Sequence, residues 1–128
     1  MSYQSDIYTA IQASTALTAL IGNRFFWDIA DGTTAPPYIV AQTISTSGET
    51  DLSGGRAVSF PLVQFSCWAR GKAEAIAIMS TFKTEMEGRN LPGTSNASLG
   101  FSGDQSSYDT ATKLYGELYD YRVSAFTN

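Results

Sequence analysis

Residues 58–88 read VSFPLVQFSCWARGKAEAIAIMSTFKTEMEG, and the hydrophobic period of this stretch changes near Ala69. Up to that point, small or apolar residues alternate with larger or polar ones. The alternation predicts a strand with one face on a core. The core-facing set is Val63, Phe65, Cys67 and Ala69, and the opposite set is Leu62, Gln64, Ser66 and Trp68. Pro61 near the strand's start predicts a sheet edge or a bulge there, because proline cannot donate to a ladder.

The period lengthens after Gly71 to that of an amphipathic helix. One stripe is formed by Ala75, Met79, Phe82 and Met86, at spacings of four, three and four. Gly88 is expected to end the helix, because glycine readily takes the left-handed conformation that helix ends require. A strand followed directly by such a helix is typical of a two-layer α+β domain.

Length and composition indicate a single domain spanning residues 1–128. Hydrophobic residues make up 43% of the chain and charged residues only 16%, so we expect a folded protein with few surface charges. Seven Tyr, seven Phe and two Trp accompany many Ser, Thr, Gln and Asn residues. This mixture suits burial between protein subunits better than a highly charged surface does.

Several classes of function lack the residues that they need. The net charge is −4 and the basic residues are scattered, so a phosphate-binding or membrane-binding stripe is not expected. The chain has no histidine and one cysteine, Cys67, which we interpret as a small buried hydrophobic residue. Two carboxylate pairs, Asp28 with Asp31 and Glu49 with Asp51, are read as solvated turns. We therefore expect no catalysis, metal or cofactor, and no signal peptide or membrane span.

The N-terminal residues 3–21 read as a helix in two pieces. Ser5 or Asp6 is predicted to cap the first piece, and Ser14 or Thr15 the second, with Gly22 as the stop. The predicted buried residues are Tyr3, Ile7, Ala10 and Ile11 in the first piece, and Leu17, Leu20 and Ile21 in the second.

Three consecutive aromatic residues, Phe25, Phe26 and Trp27, follow. In an extended segment Phe25 and Trp27 point one way and Phe26 the other. Because both faces are aromatic, either a neighbouring chain covers one of them or the whole segment is buried inside the domain.

The segment 38–44 is a predicted strand, and 45–57 (STSGETDLSGGRA) is a predicted loop. The loop contains Glu49, Asp51 and Arg56, and it is long for a hairpin connection. Two interpretations remain: an arm that becomes ordered against a neighbour, or a disordered hairpin tip.

The C-terminal part predicts a short strand at 99–101, a polar loop at 102–112 and a long strand at 113–126, with a bulge considered near Gly116. The expected element order is therefore α-β-β-α-β-β. We expect a two-layer fold with about four mainly antiparallel strands packed by two helices.

Four stretches together resemble one known family. They are ALTALIGNR at 16–24, PPYIVAQTIS at 36–45, VQFSCWARGKAEAIAI at 63–78 and LYGELYDYRV at 114–123. In this order and spacing the chain resembles the tail-completion or tail-terminator proteins of long-tailed bacteriophages. The likeness is weakest at 46–57 and 89–112.

The resemblance implies a non-catalytic α+β protein of the virion that forms a ring, by expectation a hexamer. The ring would cap the tail tube at its head-proximal end, stop tube polymerisation and offer a docking surface to the head connector. Expected partners are further copies of the chain, the tube protein and the connector, with DNA passing through without specific binding. Alternatives are a head–tail joining protein without a length-termination role, or a small ligand-binding domain.

Eight residues are candidates for a subunit or tube interface, chosen for exposed aromatic or charged character. They are Phe25, Phe26, Trp27, Glu49, Asp51, Arg56, Trp68 and Arg70.

Overall fold

The computed structural model describes residues 3–30, 34–49, 57–88, 91 and 97–127, with only the backbone at 47–49, 57–59 and 126–127. Three helices and five strands are found in these ranges. In chain order they are α1 (Tyr3–Ala13), α2 (Thr15–Ile21), β1 (Phe25–Trp27), β2 (Tyr38–Glu49), β3 (Ala57–Ala69), α3 (Lys72–Met86), β4 (Ser98–Asp109) and β5 (Leu114–Thr127). Within the described ranges, no helix has the length and hydrophobicity needed to cross a bilayer.

The strands form one mixed sheet in the order β1-β2-β3-β5-β4. Four strands pair antiparallel, as the sequence predicts, while the short β1 adds a fifth strand parallel to β2. The expected α+β class is therefore confirmed, but the predicted element order lacks β1 and counts α1 and α2 as one helix. A three-residue strand is too short to show a period of its own.

All three helices contribute buried side chains to one core on one face of the sheet. At its centre the Phe65 ring lies 4.7 Å from that of Phe82 and 5.7 Å from that of Tyr121, measured between ring centroids. The predicted core face of β3 and the predicted stripe of α3 are confirmed, since every member is at most 1% exposed. We call this side of the sheet the core face and the opposite side the outer face.

The N-terminal helices are joined at Ser14, which caps α2 as predicted. Its Oγ accepts a hydrogen bond from the Leu17 N–H at 3.2 Å and donates one to Glu85 Oε1 at 2.7 Å. Gly22 ends α2 with a φ of 61°. The predicted cap at Ser5 or Asp6 was wrong, because both residues lie inside α1.

The predicted faces of these helices are largely confirmed. Ile7, Ile11, Leu17 and Ile21 are fully buried, and Tyr3 and Ala10 pack partly against the core. Leu20 was wrongly placed in the core, since it remains 39% exposed.

The predicted loop at 45–57 is in part a long β-hairpin. β2 continues to Glu49 and β3 begins at Ala57, so the backbone pairs where the sequence is polar. Backbone hydrogen bonds between strands need no apolar side chains, so the polar composition of this segment did not predict that β2 and β3 extend into it. The bulge expected from Pro61 lies close by, as a register shift in β2 between Thr43 and Ser45, but β3 is an interior strand and not an edge.

The prediction of a polar loop at 102–112 was also wrong. β4 extends to Asp109 and pairs along its length with β5. Most of its side chains beyond Phe101 are exposed, so this edge strand lacks the alternation that identifies a half-buried strand. In β5 the alternate residues Tyr121, Val123 and Ala125 are buried. The register shift beside this strand lies in β4, between Phe101 and Gly103, and not near Gly116.

Candidate assembly surfaces

The aromatic residues of β1 divide between the two faces of the sheet. Phe25 is only 3% exposed and belongs to the core, so its proposed role at an interface is wrong. Trp27 packs beside it, with ring centroids 5.9 Å apart and the planes at 90°, and also contacts Tyr3. Its buried Nε1 has no hydrogen-bond partner among the described residues. For these two side chains, burial inside the domain is the interpretation that holds.

Phe26 points to the outer face, as the alternation predicts. It is level with Val40 in β2, and its ring meets that of Tyr38 edge-on at a centroid distance of 6.5 Å. Both rings stay partly exposed. Phe26 therefore remains a candidate for contact with another subunit.

Trp68 lies on the outer face as well, directly across the β2–β3 pair from Tyr38. Its Nε1 donates a hydrogen bond to Ser66 Oγ at 3.3 Å, and its six-membered ring covers Gly116 of β5. The side chain is half-buried, so the predicted face is confirmed while part of the indole is covered by its own chain.

Phe26, Tyr38 and Trp68 form one partly exposed cluster on the outer face, which we call the aromatic patch. Tyr38 was missed by the sequence reasoning, although its alternation with Ile39 could have placed it on this face. Burial, the Asp109 carboxylate and the nearby Cys67 raise the pKa of the Tyr38 hydroxyl, which therefore stays protonated and able to donate a hydrogen bond.

Polar side chains lie further along the same face. Gln64 Nε2 donates to Asp120 Oδ1 at 3.1 Å, and Arg122 Nη1 donates to the Phe60 carbonyl at 2.9 Å. A face that mixes aromatic and hydrogen-bonding groups resembles the surfaces of proteins that fold first and associate afterwards.

Arg70 is exposed just beyond β3, at the end of the sheet nearest the patch. It borders a cleft of about 300 Å³, together with Ala30, Thr34, Pro36, Tyr38, Thr112 and Leu114. It makes no hydrogen bond or ion pair with the described residues, and it remains a candidate for contact with a partner.

The other three candidates are Glu49, at the end of β2, and Asp51 and Arg56, which lie between β2 and β3 in the sequence. Glu49 ends β2 opposite Val58, and its side chain is not described. Asp51 and Arg56 lie outside the described residues. The structure thus brings Phe26, Trp68 and Arg70 to one region and leaves the hairpin candidates untested.

The buried Cys67 and Glu117 have structural rather than catalytic surroundings. Burial raises the pKa of the Cys67 thiol to about 12, with further contributions from Glu74 and Glu117. Glu117 is 7% exposed and accepts a hydrogen bond from Ser106 Oγ at 2.7 Å. Among the described residues no group of three or more His, Cys, Asp or Glu side chains could hold a metal ion.

Comparison with known proteins connects this geometry to a family. The model of the family described as "Tail completion protein gp17" matches residues 5–124, which is nearly the whole chain. The chain belongs to this family. It is therefore a structural protein of bacteriophage-type tails. A search of curated proteins returns no match.

The fold is also found in a solved particle. A chain of the structure titled "Virion of native gene transfer agent (GTA) particle" matches with a TM-score of 0.77 and 19% sequence identity. The match covers 97% of this chain and 94% of that one. At this identity the likeness shows a shared fold over the full length.

Proposed function

We propose that this tail completion family member forms a ring, by resemblance a hexamer, on the head-proximal end of the tail tube. The ring ends tube polymerisation and presents the surface on which the head connector docks. The observation that carries the proposal is the family match over residues 5–124. It is supported by an outer sheet face on which an aromatic patch lies partly exposed.

A closed ring built from head-to-tail contacts suits this role. Its lateral contacts are used up when the ring closes, while its two axial faces differ from each other. One axial face can therefore bind the tube, and the other can present a surface to which no further tube subunit adds. In this proposal the protein acts by binding alone, without catalysis or a cofactor.

The low charge of the chain suits a DNA conduit. Six copies, each with a net charge of −4, carry roughly −24 in total. A net negative ring does not attract DNA phosphates, so DNA would slide through the lumen without specific binding. A ring of exposed arginines around the pore would contradict this part of the proposal.

The deciding experiment is electron microscopy of tails assembled with and without the protein. Overlong tubes in its absence support length termination. Tails of normal length that fail to join heads contradict termination and support the alternative, a head–tail joining protein. Normal tails joined to heads without it would contradict both roles.

Light scattering of the purified protein tests the remaining alternative, that the chain is a small ligand-binding domain. The described clefts, of about 210, 290 and 300 Å³, lie below or at the lower limit of the usual range for such sites, roughly 300–1,000 Å³. We expect a concentration-dependent oligomer. A monomer at all concentrations that is also absent from assembled tails would favour the ligand-binding alternative.

A further inference from the structure

The sheet has an open edge at β4. Near the start of this strand, Gly88 N–H donates to the Leu99 carbonyl at 2.9 Å, and Glu87 forms a bridge with Leu99. From residue 102 to Asp109, the edge of β4 that faces away from β5 pairs with no backbone in the described part of the chain. Within the described residues, alternate members of this eight-residue segment therefore present N–H and C=O groups that have no backbone partner.

The opposite edge of the sheet is open along half of β2. β1 pairs with β2 only at residues 39–41, and the Asp28 N–H then binds the Ala41 carbonyl. Asp28 has a φ of 71°, which turns the chain at this point. From Ile44 to Glu49, no described backbone pairs with this side of β2.

We propose that these two edges bind each other between copies of this chain, with β4 residues 102–109 of one copy pairing antiparallel to β2 residues 44–49 of the next. This inference rests on the proposed ring and specifies its lateral contact. The edges lie on opposite sides of one sheet, so the contact is head-to-tail and continues from copy to copy.

Strand direction agrees with this pairing. β2, β3, β5 and β4 alternate in direction, so β4 of one copy runs antiparallel to β2 of a neighbour in a continuous sheet. Neither free segment contains Lys, Arg or Pro, the residues that commonly protect exposed edges from pairing. The charges of the two segments are the acidic Glu49, Asp104 and Asp109.

Exposed apolar side chains lie at the same two places. Ile29 and Ile44, 79% and 51% exposed, flank the open edge of β2. Tyr108 and Tyr115, 47% and 37% exposed, stack with centroids 4.8 Å apart at the tip of the β4–β5 hairpin. When the edges pair, the tyrosine tip of one copy reaches the isoleucines of the next and removes both from water.

Charge supports the same contact. Lys113 is exposed in the turn beside the tyrosine tip, and Asp28 is exposed beside Ile29. The pairing brings this cation toward this carboxylate, and such rim pairs favour correct orientation over wrong ones.

The register gives the geometry of closure. Thr43, Val63, Tyr121 and Phe101 lie on one level across the sheet. The free part of β2 lies on one side of this level, and the free part of β4 lies on the other side. For these two parts to pair, each copy must be displaced along the strand direction relative to its neighbour by about six residues, or ~20 Å. The four strands β2, β3, β5 and β4 span ~19 Å, which inclines the strands by ~45° to the ring axis. Closed sheets show tilts of about 35–45°.

Bulges occur at the level where the free segments begin. β2 shifts register between Thr43 and Ser45, and β4 between Phe101 and Gly103. Bulges bend and twist strands, and they supply the curvature that a sheet needs to close.

Cysteine cross-linking tests the contact directly. Ser45 and Ser107 are exposed, one on each free segment. Both lie on the outer face, and a shift of about six residues places them opposite each other. Within one chain β3 and β5 separate them, which is far beyond the ~7 Å Cα distance that a disulfide tolerates. The double variant Ser45→Cys with Ser107→Cys, treated with an oxidant or a short bismaleimide, should give a ladder of covalent oligomers in assembled tails. Cys67 is fully buried and does not compete.

The matched controls are the two single-cysteine variants, which should give no ladder beyond dimers. Tails of normal length that contain the double variant but yield only monomers would overturn the edge contact and leave the ring proposal standing. Normal tails that lack the protein altogether would overturn the ring proposal itself.

A charge placed in the contact gives a second test. Ile44→Lys should weaken self-association of the purified protein at least tenfold, because the ammonium is costly to bury. Ile76→Lys is the matched control, since Ile76 is 44% exposed on α3 and away from both edges. Equal self-association of the two variants would contradict the proposal.

Discussion

Trp68 and Gly116 fit each other across the β3–β5 pair. A Cβ atom on residue 116 would lie 2.7 Å from Trp68 Cζ3 and 2.8 Å from Cη2, distances that atoms in contact do not adopt. The absence of a side chain at 116 therefore lets the indole lie flat on the outer face. The shape of the aromatic patch depends on this glycine, although the two residues are 48 positions apart in the sequence.

Gly116→Ala should destabilise the protein by about 1–3 kcal/mol and shift the tryptophan fluorescence, because the indole must move. Chemical denaturation measures the first effect. Gly103→Ala is the control, since a Cβ there meets nothing within 4 Å. In a Trp68→Ala background the cost of Gly116→Ala should fall by ~1 kcal/mol or more. Equal costs in both backgrounds would contradict the contact.

Phe82→Ala should lower the unfolding free energy by about 3–5 kcal/mol. Phe82 is fully buried against Phe65 and Tyr121, so removal of its ring leaves a cavity. Ile76→Ala on the same helix serves as the control. Since Ile76 is 44% exposed, we expect a change within ~0.5 kcal/mol. Thermal unfolding of both variants distinguishes them, and similar melting temperatures would argue against the assigned core face of α3.

Ser14→Ala should cost ~1 kcal/mol, because it removes the cap of α2 and the hydrogen bond to Glu85. Thr15→Ala is the matched neighbour, since the Thr15 side chain is exposed and only its carbonyl accepts a bond. Denaturant midpoints report the difference. An equal loss of stability in Thr15→Ala and Ser14→Ala would contradict the assignment of the cap to Ser14.

Cys67 should make stability depend on alkaline pH. Burial raises the pKa of its thiol from 9.0 to about 12, so the folded state holds a proton that the unfolded state releases. The stabilising contribution is complete below pH 9 and declines between pH 9 and 12, by up to ~1.4 kcal/mol per pH unit. Denaturation at pH 8 to 10.5 should show a steeper loss for the native protein than for Cys67→Ala. Rapid reaction of the native thiol with a disulfide reagent at pH 8 would contradict its burial.

Phe26→Ser should preserve the fold and impair assembly, since Phe26 lies on the outer face and is only partly buried. We expect a native circular dichroism spectrum together with fewer completed tails by electron microscopy. Ile76→Ser, an exposed change on the helical side, should leave tail completion intact. Normal tails with Phe26→Ser would remove the aromatic patch from the proposed interface.

The sequence by itself determined the elements whose side chains face two different environments. The core faces of β3 and α3, the break at Ser14, the stop at Gly22 and the outer position of Trp68 all follow from local periodicity and backbone preference. These signals are local because each depends on residues within one or two turns or pleats. The α+β class and the family resemblance follow from the same segments.

Only the tertiary structure decided where polar backbone pairs. β4 beyond residue 101 and the ends of the β2–β3 hairpin form strands through hydrogen bonds to neighbours distant in the sequence, without an apolar pattern. The burial of Phe25, the joining of Phe26 with Tyr38 and Trp68, and the fit of Trp68 on Gly116 likewise depend on which strands lie side by side. Strand order is set by packing across the whole sheet, so no single stretch of this sequence encodes it.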